Sequence, residues 1–294
     1  MSATPDAPAA PPAPPRGLAA AALRSPVAAV AAAALAAIVL GAILAPLMGT
    51  VDPVALSPAQ RLRPPSDEHW LGTDHLGRDI WSRLVYGARV SVTVGAAAAI
   101  LAIAVGLFVG LFTGFLRWLD PIVMRVMDGL MAIPGILLAI ALVSVSGASL
   151  ITVIVAITVP EIPRVVRLVR AVVLSVREEP YVEAAVSVGT PLWLILWRHV
   201  VPNCVPPLIV QATYVAASAM LTEAILSFLG AGTPPTIPSW GNMVAEARLL
   251  FQIAPMNLIW PGIALAVTIL SVNILGDALR DRLDPKLAKR VGGR

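Results

Sequence analysis

The chain has 294 residues, of which 58% are apolar and only 13% charged, and its mean hydropathy is +0.85. That balance excludes an ordinary soluble domain, because apolar runs of about 18 or more residues read as membrane-spanning helices. A single cysteine, Cys204, excludes an intrachain disulfide and a thiolate metal cluster. The net charge of +4 is spread over loops without interleaved aromatics, which argues against nucleic-acid binding.

Residues 1–25 form a Pro/Ala-rich tract without periodicity and read as a disordered tail. A cleaved signal peptide fits less well, since the apolar run 27–48 exceeds the usual apolar core of about 7–15 residues. That run is the first span. Residues 49–87 are polar, and from Ile80 onward Ile80, Leu84 and Val85 share a helical face while Arg83 points away. This pattern predicts an interfacial helix closing a first unit, 26–89.

The second span, 90–115, carries Gly106, Gly110 and Gly114, a spacing that lets another helix approach closely, from this subunit or a neighbour. A short loop with Arg117, Asp120, Arg125 and Asp128 follows. The third span, 129–146, has a kink expected at Pro134. The fourth starts near Leu150 and contains Pro160, Glu161 and Pro163, then Arg164, Arg167 and Arg170 on one drifting face. Its helix should leave the bilayer intact, with Glu161 pairing locally to Arg164 or Arg167 near the inner interface.

A polar stretch, 177–203, comes next; then a fifth span, 205–229, with Glu223 near its far end. A Pro- and Gly-rich loop (230–255), a sixth span (257–275) and a basic tail (281–294) complete the chain. The fold class is therefore all-α membrane protein with about six transmembrane helices and a transmembrane core at 90–280.

Six spans put both termini on one side. That side holds fifteen of the 21 Lys and Arg residues and the other six, which makes the first side cytoplasmic. The stretch 177–203 is then cytoplasmic. Within it, residues 181–188 can form a short helix stopped by Gly189, and Thr190-Pro191 can start a second that leads to Pro202. Glu183 beside Ala184 and Ala185 offers a partner close approach and one charge.

The segment EAAVSVG at 183–189 resembles the EAA-xxx-G loop of inner-membrane permease subunits of ATP-binding-cassette importers, and RHVVPN at 198–203 resembles the peptide-transport branch. Val201, where leucine is usual, is a mild departure. LGTDHLGRDIWSRLVYGARVS (71–91), LSFLGAGTPPTIPSWGNMVAEAR (226–248) and GDALRDRLDPKL (276–287) look like signatures of the C-type subunit of dipeptide/oligopeptide/nickel permeases. The resemblance implies the type I importer permease fold. It also implies ATPase-coupling roles for Tyr181, Glu183, Ala184, Ala185, Gly189, Thr190, Arg198, His199 and Pro202. The implied partners are a second homologous permease subunit, two ATPase subunits, an external substrate-binding protein and lipid.

The residues agree on what is missing. No GxxxxGK[ST] loop is present, and acids in the spans form no acid–base or metal constellation, so no cofactor is expected here; the resemblance implies that ATP and Mg are bound by partner subunits. The chain is read as non-catalytic. Asp74, Arg78, Asp79, Glu223 and Trp240 are candidates for the outer gate or pathway. For Glu223 the simpler reading is an interhelical or loop-anchoring hydrogen bond, and for Trp240 capping competes with interfacial anchoring. His69, Asp74 and His75 make a weak metal motif, and no metal is assigned. The expected function is half of an importer's pathway for di- or oligopeptides. Nickel chelates, haem or another solute are the alternatives, and a self-sufficient secondary transporter or channel is the reading from another class.

Overall fold

A computed structural model describes residues 25–283, and the expectations for most of both tails fall outside the described residues. Ten α-helices carry the described chain: α1 Pro26–Ile43, α2 Ile80–Phe115, α3 Asp120–Ala132, α4 Gly135–Ser146, α5 Leu150–Arg177, α6 Pro180–Ser187, α7 Leu192–Ile195, α8 Val201–Phe228, α9 Trp240–Ala247 and α10 Met256–Leu283. No strand occurs among the described residues, only an isolated bridge between Thr73 and Asp79.

Four helical stretches are long and apolar enough to cross a membrane: α1, α2, the 37-residue run Leu192–Phe228 and α10. The pair α3 and α4, bent by 90°, brings the number to five when it is counted as one broken span. The fourth expected span, α5, falls short of that standard because it carries Glu161, Arg164, Arg167 and Arg170. Those charges are paired: Arg164 with Glu161 at 3.1 Å, Arg167 with Asp128 at 2.6 Å and Arg170 with Asp120 at 2.5 Å. The count of six is therefore approximate.

Several boundaries differ from the sequence reading, each for a local reason. The expected interfacial helix is the first part of α2, which starts where the Asp79 carboxylate caps the Ser82 amide at 2.7 Å and then runs on for 36 residues. Arg83 does not point away from the protein; it is 3% exposed and sits in an ion-pair network. The loop expected around 117–128 is mostly helix, opened by Pro121 in the first turn of α3. Pro134 makes a break rather than a kink, with Ile133 and Pro134 both extended.

Pro202 does not separate two helices. A π-turn over Leu196–Val200 absorbs its missing N–H, and the Asn203 side-chain amide donates to the His199 carbonyl at 2.7 Å. The last helix continues past residue 275 to Leu283.

The glycines of α2 form the main seam. A Cβ on Gly106 would stand 2.4 Å from Val165 Cγ1, one on Gly110 2.7 Å from Val169 Cβ and one on Gly114 2.6 Å from Val173 Cβ. The partner helix is α5 of the same chain, running parallel to α2. Backbones in such close approach gain dispersion contacts that lipid cannot supply. The valines are fully buried and join Ile195, Leu196, Val200 and Cys204 in one apolar cluster.

Candidate functional site

Two assemblies of polar residues lie at opposite ends of α2 and α5. The first is the bracket formed by α6, α7 and the π-turn. Pro180 opens α6, and the helix closes in a Schellman arrangement: the Thr190 amide donates to the Ala185 carbonyl and the Gly189 amide to the Val186 carbonyl, both at 3.0 Å. Gly189 has φ +81°, which explains why a glycine stops this helix.

Val182 of α6 and Ile195, Leu196 and Val200 of the second arm are buried in one cluster with Val173 and Val176 of α5, and this apolar edge fastens the bracket to the bundle. The opposite face is open. Tyr181, Glu183, Ala184, Val186, Gly189, Arg198 and Pro202 are exposed, Ala185, Thr190 and His199 are half-buried, and Trp193 and Trp197 are 68% and 70% exposed. The Tyr181 and His199 rings stand 5.8 Å apart, bridging the two arms. The residues expected to act together thus lie on one contiguous bracket, except Pro202, which sits just beyond it in the first turn of α8. The exposed Val186, Val188, Trp193 and Trp197 were not singled out from sequence, although a tryptophan four residues from another in a polar segment is a visible signal.

The second assembly joins the 49–79 segment to α9. Gly77 must be a glycine, since a Cβ there would meet the Ser57 carbonyl oxygen at 1.9 Å. The turn it permits aims Asp74 at two guanidiniums. Arg78 Nε donates to Asp74 Oδ2 at 2.6 Å and Arg83 Nη1 to the same oxygen at 2.5 Å. Both arginines also reach Glu246 on α9, Arg83 at 2.7 Å.

Burial works against the Asp74 carboxylate, but the Arg78 amide, the Arg83 and Arg78 guanidiniums and the Leu76 amide outweigh it and hold its pKa below the usual 3.8. Asp79, the α2 cap, also meets His69 Nδ1 at 3.0 Å. The three groups of the weak metal motif do not assemble: His69 bonds to Asp79 and Gln60. Asp74, His75 and Glu246 do converge within 4.8 Å, but the two carboxylates are engaged by arginines. Glu246 was missed from sequence because its partners lie more than 160 residues away.

Glu223 and Trp240 belong to the same end. Glu223 is fully buried and accepts from Ser239 Oγ at 2.9 Å, Ser227 Oγ at 3.0 Å and Thr233 Oγ1 at 3.4 Å, so it anchors the loop and lines no open pathway in this conformation. Ser239 also caps α9 by accepting from the Asn242 amide. Trp240 is 1% exposed, too buried for the interfacial anchoring considered from sequence, and its Nε1 donates to the Leu84 carbonyl at 2.9 Å. Asn242 Nδ2 donates to the carbonyls of Thr233, Pro234 and Ile237, each at 3.1 Å, and so fixes the proline-rich turn. The second assembly is a structural latch between two connecting segments.

Comparison with known proteins supplies the family. Residues 75–289 match the family model described as binding-protein-dependent transport system inner membrane component. A probable peptide ABC transporter permease protein of Sinorhizobium fredii is 50% identical over 249 residues, 85% of each chain. A dipeptide transport system permease protein of Alkalihalophilus pseudofirmus is 40% identical, covering 85% of this chain and 82% of that one. The oligopeptide transport system permease protein of Bacillus subtilis is 38% identical, covering 86% and 83%. Among solved structures, an inward-facing MetNI methionine ABC transporter chain superposes with a TM-score of 0.55 at 19% identity, covering 69% of this chain and 96% of that one, and so shares the fold. With the matched region spanning every helix from α2 to α10, the chain belongs to the family of binding-protein-dependent transport system inner membrane components, multi-pass membrane permease subunits.

Proposed function

We propose that this chain forms half of the transmembrane pathway of an ATP-driven importer for di- or oligopeptides and is driven through the α6–α7 bracket. The observation that carries the reading is the bracket itself: one edge buried on Val182, the other face open and bearing Glu183, Arg198 and exposed tryptophans. A surface of that make-up suits docking into a partner's groove. The relatives' printed descriptions support peptide as the cargo class.

In this reading the complete machine has a second homologous permease, two ATPase subunits that bind ATP and Mg, and an external substrate-binding protein. This chain performs no bond chemistry and carries no cofactor. Its termini and the bracket face the cytoplasm, in keeping with the lysine and arginine distribution. ATP-driven closure of the ATPases pushes on 181–189, and the attached helices tilt so that the pathway changes the side to which it opens.

The test is co-purification with ATPase subunits, followed by peptide uptake into proteoliposomes. Glu183→Lys is expected to insert normally and to lower both ATPase retention and ATP-driven uptake by about tenfold or more. Wild-type uptake that persists without any ATPase would refute the importer reading. Full uptake by the variant would refute the coupling role.

A further inference from the structure

Between α4, α5 and α8 lies a cavity of about 220 Å³ whose polar lining is Glu161, Arg164, Tyr214, Ser218 and Thr222. Its depth follows from helix geometry. Glu161 is eleven residues into α5 and Ser218 ten residues from the end of α8, so at about 1.5 Å per residue each lies roughly 15–17 Å from its helix end. With the start of α5 and the end of α8 taken as one edge of a hydrocarbon core about 30 Å thick, that depth is the middle, deeper than the inner-interface position expected from sequence. An ionisable pair at such depth costs several kcal/mol unless it is partnered or meets a polar pathway, so it marks function more often than packing.

The hydrogen bonds say what the recess lacks. Glu161 is satisfied: Arg164 Nη1 lies 3.1 Å from both its oxygens, and Ser218 Oγ donates at 3.3 Å. Thr222 donates to the Ser218 carbonyl at 2.8 Å. Arg164 makes its side-chain bonds through Nη1 alone, and Tyr214 makes none with its hydroxyl among the described residues. Both are half exposed, Arg164 at 48% and Tyr214 at 51%. The side-chain capacity left over is therefore donor capacity: the Nε and Nη2 edge of a guanidinium and one phenol. That edge matches a carboxylate in two-point geometry. We propose that this recess is a mid-membrane station that takes the C-terminal carboxylate of a peptide in transit, with Arg164 as the specificity-determining residue and Glu161 positioning it. The volume suits a terminal residue rather than a whole oligopeptide. The inference rests on the importer reading for its ligand.

The test is thiol labelling of the full chain in membranes, using Thr222→Cys in a Cys204→Ala background. Relative to their rates with a free thiol in solution, an anionic sulfonatoethyl methanethiosulfonate is expected to be favoured at least about fivefold over its trimethylammonium counterpart. That preference should vanish in Glu161→Gln/Arg164→Gln, a pair of changes that leaves no buried charge orphaned. Trialanine should slow labelling, whereas trialanine C-terminal amide should not, and Tyr214→Phe should weaken the protection. Equal reagent rates after that normalisation, no labelling by either reagent, equal protection by the amide, or protection by acetate as strong as by trialanine would each overturn the proposal. Labelling needs no ATPase, so its failure is distinct from failure of ATP-driven uptake, which would sink the importer reading instead.

Discussion

Arg83 Nη1 lies 2.7 Å from Glu246 Oε2, joining the first turn of α2 to α9 across 163 residues of sequence. The contact is buried on the arginine side, and the same nitrogen also serves Asp74. Removing one member of such a network leaves a charge without its partner, which costs more than the intact pair contributes. Arg83→Met is therefore expected to destabilise the protein by about 3 kcal/mol. Arg83→Met combined with Glu246→Met should cost less than the two single changes added together. Thermal unfolding in detergent would measure both, and strict additivity would refute the network.

The same network gives a pH signature. The Asp74 carboxyl titrates below 3.8 in the folded protein, so its contribution to stability is complete above the ordinary carboxylate range and is lost as pH falls through its lowered value. The difference in melting temperature between wild type and Asp74→Asn should be constant above about pH 5 and shrink below about pH 4. A difference that grows on acidification would contradict the direction of the shift.

Gly106 and Gly129 make opposite predictions for the same substitution. Gly106→Ala drives a methyl group into Val165, where neither backbone has room, and should cost about 1–3 kcal/mol. Gly129 is exposed in α3, and a methyl group added there would meet nothing within 4 Å, so its alanine variant should be up to about 1 kcal/mol more stable. Melting temperatures of the two variants, measured side by side, decide the matter.

At the bracket, the left-handed conformation of Gly189 separates shape from chemistry. Gly189→Val should strain the turn by about 1–2 kcal/mol and reduce ATP-driven uptake, whereas Gly189→Asn, which tolerates that conformation, should retain most of it. Uptake assays with matched membrane levels would separate these outcomes. Equal activity in both variants would mean that the turn's geometry is irrelevant to transport.

Local chemistry was the part of the architecture that sequence could reveal. Proline at the start of α6, glycine at its end and small residues every fourth position in α2 each act on the backbone within a few residues, so pattern alone located them. Arg83 defied its pattern for the opposite reason. A charged side chain next to an apolar face reads as solvated, and it is the fold that closes Asp74 and the distant Glu246 around it. Pro202 misled because a proline normally ends a helix, whereas a π-turn can be confirmed only from coordinates. The mid-membrane recess left a trace: Tyr214, Ser218 and Thr222 recur every fourth residue along a helix, a hydroxyl stripe in an apolar run. Its charged partner on α5 read as local pairing, and the convergence of the two helices was invisible.

The glycine–valine seam makes α2 and α5 a single beam. Two backbones interlocked at three successive turns cannot slide or twist independently without driving valine side chains into main chain. Arg177 Nη1, bonded to the Gly114 carbonyl at 3.2 Å, pins the beam at the end where α6 departs, and Arg83 fastens its other end to α9. Bending must therefore be taken up outside the seam, at the Ile133–Pro134 break, at Pro160 and Pro163 in the first half of α5 and along the proline-interrupted start of α8. A push delivered at α6 would tilt the beam as one piece, and the segments on the far side of the membrane would travel with it.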